Sequence, residues 1–289
     1  MKVFTLDEFR EEYFNLCEDT LNAIKELEDL TNKGVVFRVV NQSEAVGVFK
    51  LKIKLARQIM DNHIIIINKD LVPNKNELNY LIVHEIMHGL RTFKAKPEER
   101  RVLAGNRVIS EELSNKLRET LNPQVVNLMD DFSLNEYFSN LIFNTNMLLF
   151  NASVDARIEL DIYNKYPNLR KLQKTSQINY LNELLAGFNK KATESIPLWI
   201  LERANLMNYC YMKKISPIIG TSWTSRINRV IDEDFKNKSD EMMFYLDKED
   251  LGQVSDNETI TAWSKILDLD EYTRFTDFEN ISLDYLFSN

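Results

Sequence analysis

Cysteine, glycine, proline and histidine are all scarce in this chain of 289 residues, which has 2 cysteines, 7 glycines, 6 prolines and 3 histidines. The two cysteines, Cys17 and Cys210, are far apart and show neither metal-ligand nor redox spacing. We therefore expect no disulfide framework and a reducing compartment. Tight hairpins usually need turn residues such as glycine, and glycine and proline are both scarce. The composition therefore favours a mostly helical fold.

The sequence also lacks long apolar runs and an excess of positive charge. Its N-terminal stretch has no apolar signal region, and no stretch reaches the roughly 18 apolar residues of a membrane helix. We predict a cytoplasmic protein with no membrane segment, and export without a cleaved signal stays open. The net charge of −8 argues against a nucleic-acid partner bound by neutralising phosphates. Most of the acidic excess lies in residues 231–289, either as a solvated helical surface or as a recognition surface for a basic partner.

Hydrophobic periodicity predicts a small β-sheet near the N-terminus and helices elsewhere. The strands are predicted at 35–40, 45–55 and 63–68, and the helices at 6–32, 74–89, 109–121, 123–131, 134–146 and 147–165. Asn74 or Asn76 is the expected N-cap of the helix after the third strand, and Gly89 its expected end. Ser133 and Glu136 form a candidate capping box. The basic stretch 91–107 is interpreted as a loop over the mouth of a site.

The stretch that carries chemistry is His84-Glu85-Ile86-Met87-His88, in the predicted helix 74–89. Residues four apart lie on one face of a helix, so His84 and His88 can direct their imidazoles at one metal ion. Glu85 lies beside that face, where its carboxylate could take a proton from an attacking water. The alternative is a chance match by two ordinary histidines. The third histidine, His63, begins a strand and is interpreted as a strand-edge residue, with a place in the cleft as the alternative.

A catalytic zinc site takes three protein ligands and keeps a further position open. Since no other histidine or cysteine is well placed, the third ligand should be a carboxylate. Asp155 and Glu159 lie four apart on an otherwise apolar helix, so one could bind the metal while the other orients a histidine. The alternative is an exposed charged stripe that also contains Arg157 and Asp161. Glu136 is better explained as a cap.

A sheet, a helix bearing His-Glu-x-x-His and a later helix with an acidic ligand together resemble the zincin metallopeptidases. The resemblance covers roughly residues 35–165, and an acidic third ligand places the chain nearer the gluzincins. The longer metzincin motif is absent after Gly89-Leu90. Gluzincins usually carry Glu-x-x-x-Asp as their second motif, whereas this chain has Asp155-x-x-x-Glu159. Asn151-x-x-x-Asp155 resembles the Asn-x-x-x-Asp helix of minimal zincins, which places Asp155 ahead of Glu159 as the third ligand.

These observations predict an α+β protein, with a small N-terminal sheet packed on a zincin active-site helix and a large, mainly helical portion after it. We expect residues 1–167 to form the metallopeptidase core and 168–289 an acidic helical region for substrate or partner recognition. The resemblance implies one Zn²⁺ ion, a protein or peptide substrate and cleavage of a peptide bond. It also implies a substrate that pairs with the edge of the sheet, which we place at 63–68. The alternatives are a partner-binding protein with structural zinc and a metal-dependent amidase.

Overall fold

The computed structural model describes residues 2–41, 51–57, 60–103, 111–187, 196–220, 222–228, 231–250, 252 and 254–278. Helices make up most of these residues, and the strands form two small sheets, so the predicted α+β class is confirmed. The strands are β1 (Gly34–Val40), β2 (Leu51–Lys54), β3 (Asn62–Asn68), β4 (Arg101–Leu103) and β5 (Phe275–Asp277). The helices are α1 (Leu6–Glu12), α2 (Glu18–Thr31), α3 (Lys75–Lys94), α4 (Glu111–Thr120), α5 (Pro123–Asn127), α6 (Asp131–Lys165), α7 (Arg170–Gly187), α8 (Leu198–Lys214), α9 (Ser216–Ile219), α10 (Ser222–Ile227), α11 (Glu233–Asp250) and α12 (Asp256–Ile266). None of the helices in the described ranges is long and apolar enough to cross a membrane.

The first helical stretch is two helices, so the prediction of one helix over 6–32 was wrong. In a continuous helix the N–H of Cys17 would bond to the carbonyl of Tyr13, but it donates to Oδ1 of Asn79 at 2.9 Å instead. This contact with α3 begins α2 anew at Glu18. The predicted stop is confirmed, because Asn32 adopts the left-handed conformation (φ 53°) that ends α2.

The larger sheet has the order β1-β3-β2, with β1 parallel and β2 antiparallel to β3. Its central strand is the apolar run 63–68, whose Ile65, Ile66 and Ile67 are buried, as expected for a strand covered on both faces. Placing the edge of the sheet at 63–68 was therefore wrong. Of the predicted strand 45–55, residues 51–54 form β2, and residues 45–50 lie outside the described residues.

Of the two candidate caps of helix α3, the structure uses Asn74, whose side chain accepts the N–H of Glu77 at 3.3 Å. The predicted end at Gly89 was wrong, since the helix continues to Lys94 and Gly89 is buried within it. A Cβ at Gly89 would lie 2.8 Å from Leu55 Cδ2 and 3.2 Å from Leu27 Cδ1. The glycine therefore allows close packing inside the helix and does not terminate it.

The basic stretch 91–107 is not a single loop. Residues 91–94 complete α3, Pro97–Glu99 form a 3₁₀ turn and Arg101–Leu103 form β4, which pairs with β5. Residues 104–107 lie outside the described ranges. The loop prediction was therefore wrong for the part that the structure describes.

Helix α6 is one continuous helix of 35 residues, although two helices, 134–146 and 147–165, were predicted. Ser133 is inside its first turn, and its N–H donates to Oδ1 of Asp130 at 2.7 Å. The cap is thus Asp130, and the assignment of Ser133 and Glu136 to a capping box was wrong; Glu136 is exposed. The predicted stop before Pro167 is confirmed, since α6 ends at Lys165.

Contacts group the chain into two compact units, each built from separate segments. The first contains residues 1–101, 158–176 and 277–289, and the second contains 102–157 and 177–276, so the boundary falls within α6. These units do not coincide with the predicted segments 1–167 and 168–289. The first has a core of side chains between the larger sheet and α1–α3, including Phe9, Phe37, Ile65, Leu78 and Ile82. One core cluster of the second contains Leu113, Leu117, Leu121, Leu134, Phe138, Ile142 and Ile200.

Candidate metal centre

His84 and His88 lie one turn apart on α3, with their ring centroids 5.1 Å from each other. The helix is held by a stripe of buried side chains that includes Leu78, Ile82 and Ile86. That packing leaves the two histidines only partly buried, and the side chain of His84 is 14% exposed. Both imidazoles are thus presented together at an accessible position, as the i, i+4 spacing predicts.

Glu159 lies on α6 with a fully buried side chain. Its Oε1 accepts a hydrogen bond from the Tyr80 hydroxyl at 2.6 Å and lies 2.8 Å from Nδ1 of His84. In the tautomer of His84 that carries its proton on Nδ1, this contact is a hydrogen bond from the imidazole to the carboxylate. Nε2 is then the nitrogen of His84 that can bind a metal.

Gln173, on α7, completes the surroundings of Glu159. Its Nε2 donates to Oε2 of Glu159 at 2.6 Å and to the backbone carbonyl of Glu159 at 2.6 Å. Both carboxylate oxygens therefore accept hydrogen bonds, which offsets the cost of burying a polar group. The predicted alternative of an exposed charged stripe was wrong for Glu159.

Asp155 lies one turn before Glu159 on the same helix and is partly buried. His84, His88 and Asp155 each offer a ligand atom, and these atoms all lie within 4.8 Å of one another. Such a group could hold a metal ion. Two imidazoles and one carboxylate make a donor set that suits Zn²⁺, whose bonds to nitrogen and oxygen are about 2.0–2.2 Å long. Of the two acidic candidates, the group contains Asp155 and not Glu159.

Glu85 contacts strand β2 of the sheet. Its Oε2 accepts the backbone N–H of Ile53 at 3.1 Å, which fixes the carboxylate beside the strand. The neighbouring Lys52 is half-buried, and burial together with the charge of Arg38 lowers its pKa, while the charge of Glu85 opposes that shift. The candidate base thus lies next to His84 in the chain and is anchored to β2.

His63 lies apart from this group, on the central strand β3, so its assignment to a strand edge was wrong. Its Nδ1 accepts the N–H of Ala56 at 2.9 Å, and Nε2 lies 2.9 Å from the hydroxyl of Thr31. Burial, with a smaller contribution from Lys33, lowers the pKa of His63 to about 4. It is a neutral structural histidine whose two ring nitrogens are both bonded within the core.

Three side chains that were not assigned to the site from the sequence interact with the acidic residues of α6. Tyr80 lies one helical turn before His84, a spacing that could have suggested its contact with Glu159. Gln173 and Tyr180 lie on another helix and carry no local signal. Loss of solvation, together with the charges of Asp155 and Glu183, raises the pKa of the partly exposed Tyr180 to about 12.

No protein-family model matches this chain, and neither a curated protein nor a solved structure does.

Proposed function

We propose that this protein is a zinc-dependent endopeptidase of the zincin type that hydrolyses a peptide bond in a specific protein substrate. The observation that carries the proposal is the group formed by His84, His88 and Asp155, whose ligand atoms lie within 4.8 Å of one another. Glu85, next to His84 on α3, supplies the carboxylate that such a reaction needs.

His84, His88 and Asp155 would hold the zinc ion. Asp155 is the better third ligand because the group of atoms within 4.8 Å of one another contains its carboxylate and not that of Glu159. Glu159 instead fixes the ring orientation and the tautomer of His84 through Nδ1. A bound zinc would act as a Lewis acid on the scissile carbonyl and lower the pKa of a water molecule.

Glu85 would act as the general base and then as the general acid. Its carboxylate takes a proton from the attacking water and delivers that proton to the leaving amine. The hydrogen bond from the N–H of Ile53 occupies one carboxylate oxygen and holds the group in a fixed position at β2. A preset position limits the reorganisation needed when the proton moves.

The exposure of the group supports a catalytic role over a structural one. Structural zinc sites are closed, with four protein ligands, whereas catalytic sites have three and remain open to solvent. All three ligand residues here are only partly buried. This arrangement favours access by water and by a substrate.

The Glu85→Gln variant tests the proposal. We expect it to fold and to bind zinc like the wild type, but to lose at least about 10²-fold in cleavage rate, because a general base contributes on that scale. Zinc content is measured on the purified protein, and new peptide termini are compared by proteomics between cells that carry either form. Glu11→Gln, which changes an exposed carboxylate of α1, is the control and should cleave normally.

Two results would count against the proposal. If the wild type binds no zinc after metal loading, the metal assignment is wrong. If Glu85→Gln retains zinc and yields the same termini at the same rate, zinc has a structural role or the enzyme acts on another bond.

A further inference from the structure

Arg157 lies midway between Asp155 and Glu159 on α6. Successive residues of a helix are about 100° apart, so a residue two positions away points to nearly the opposite side. Its side chain is 15% exposed, which means that a guanidinium group is largely buried behind the face that carries the two carboxylates.

The partners of Arg157 come from the C-terminal end of α11. Its Nε lies 3.7 Å from Oε1 of Glu249, and its Nη1 contacts Oδ1 of Asp250. Asp250 also pairs with Nζ of Lys214, on α8, at 2.6 Å, and Lys214 in turn pairs with Asp247 at 2.7 Å. Two cations and three carboxylates thus form one network that joins α6, α8 and α11.

Because the network is largely buried, its charges depend on one another and not on solvent. The side chains of Lys214 and Glu249 are 7% and 5% exposed, so these charges have little solvent to replace a lost partner. The planar guanidinium fixes its partners in a narrow range of geometries. A helix held in this way resists rotation about its own axis.

The rotation of α6 matters for the metal centre. A carboxylate roughly 5 Å from the axis moves about 2 Å when the helix turns by about 20°, and this is about the length of a zinc–oxygen bond. Asp155 and Arg157 belong to the same compact unit, as do α8 and α11.

We propose that Arg157 is a positioning residue, whose ion pairs with Glu249 and Asp250 set the rotation of α6 at which Asp155 binds the metal. This inference rests on the proposed function of the centre. It gives the acidic end of α11 a role inside the molecule, where the sequence suggested either a solvated surface or a recognition surface.

The test compares Arg157→Met with Lys213→Met. Lys213 pairs with Asp240 at 2.7 Å, so it joins the same helices α8 and α11, but on their exposed side. We expect Arg157→Met to weaken zinc binding about tenfold and to change the visible spectrum of the Co²⁺-loaded protein, while Lys213→Met changes neither. Arg157→Lys should restore part of the affinity because it keeps the charge.

The direction of the change in zinc affinity distinguishes a positioning role of Arg157 from simple charge repulsion between Arg157 and the metal ion. Removing a cation near the centre would by itself strengthen the binding of Zn²⁺. Unchanged or tighter binding in Arg157→Met, with an unchanged Co²⁺ spectrum, therefore overturns the inference. If Arg157→Met does not fold, Glu249→Gln breaks the same pair and is expected to weaken zinc binding in the same way.

A readout that needs no metal keeps this inference distinct from the proposed function. In the metal-free protein, amides of residues 151–158 should exchange faster in Arg157→Met than in Lys213→Met. If the wild type binds no zinc, the proposed function fails, and the exchange rates still decide whether Arg157 holds α6. Equal exchange in both variants overturns the inference.

Discussion

Helices α3 and α6 each carry two polar side chains four residues apart, but the two pairs have different surroundings. On α3, His84 and His88 are both partly buried and both contribute to the group of candidate metal ligands. On α6, Asp155 belongs to that group, whereas Glu159 is fully buried and accepts hydrogen bonds from Tyr80 and Gln173.

The difference shows that i, i+4 spacing determines a shared face and not a shared role. Depth within the core and the donors around each carboxylate separate the two acidic residues. Three polar groups, from α3 and α7, surround the buried carboxylate of Glu159 and satisfy its hydrogen-bonding capacity. Asp155 is only partly buried.

The largest expected effect comes from separating the two carboxylates of α6. Asp155→Ala removes one of three proposed ligands and should weaken zinc binding by more than about 100-fold. Glu159→Gln should weaken it only about tenfold, in the range for a group that bonds to a ligand's other nitrogen. Zinc affinity is measured by competition with a chelator.

Asp161→Asn is the matched control for this pair, because Asp161 is a partly exposed acid of α6 that pairs with Arg91. It should leave the zinc affinity unchanged. Equal affinity in Asp155→Ala and the wild type would show that the two carboxylates were assigned the wrong way round or that neither binds zinc.

A second expected effect concerns the packed side of α3. Gly89→Val places a branched side chain against Leu55 and Leu27, which a Cβ would already approach to 2.8 and 3.2 Å. We expect the free energy of unfolding to fall by about 2 kcal/mol, as is typical of overpacking. Denaturant unfolding measures it.

Gly89→Ala is the control for that variant. Its smaller side chain meets the flexible ends of two leucines, and alanine gains about 1 kcal/mol in helix propensity over glycine, so the net change should be small. If Gly89→Val were as stable as the wild type, α3 would not be packed closely at this position.

The smallest expected effect contrasts His63 with the histidines of the metal group. Its folded pKa of about 4 lies below the usual value of 6.5, so the unfolded chain binds a proton more readily between those pH values. The stabilising contribution is complete above about pH 6.5 and is lost as the pH falls toward 4. We expect a loss of about 1–2 kcal/mol, allowing for solvent screening.

The measurement compares urea unfolding of the wild type and His63→Gln at several pH values. Carboxylates titrate in the same range, but they contribute equally to both proteins, so the difference isolates His63. A difference that does not vary between pH 6.5 and 4 would contradict the neutral, buried state of this side chain.

Features encoded by short segments were predicted well. The position of β1 and β3, the Asn74 cap, the stop at Asn32 and the stop before Pro167 all depend on a few adjacent residues, and all are confirmed. The errors arose where local structure depends on residues that are distant along the chain. The break after α1 depends on a hydrogen bond from Cys17 to Asn79, 62 residues away, and Gly89 lies mid-helix because Leu27 and Leu55 approach it.

The sequence by itself determined that His84 and His88 share one face of α3, because residues four apart are brought together by helix geometry alone. It also limited the third ligand to Asp155 or Glu159. Only the tertiary structure distinguished these two, since the donors that surround Glu159 come from Tyr80, His84 and Gln173, which are distant along the chain or on another helix. Burial and hydrogen-bond partners are properties of the folded chain, so they separate two carboxylates that the spacing alone leaves equivalent.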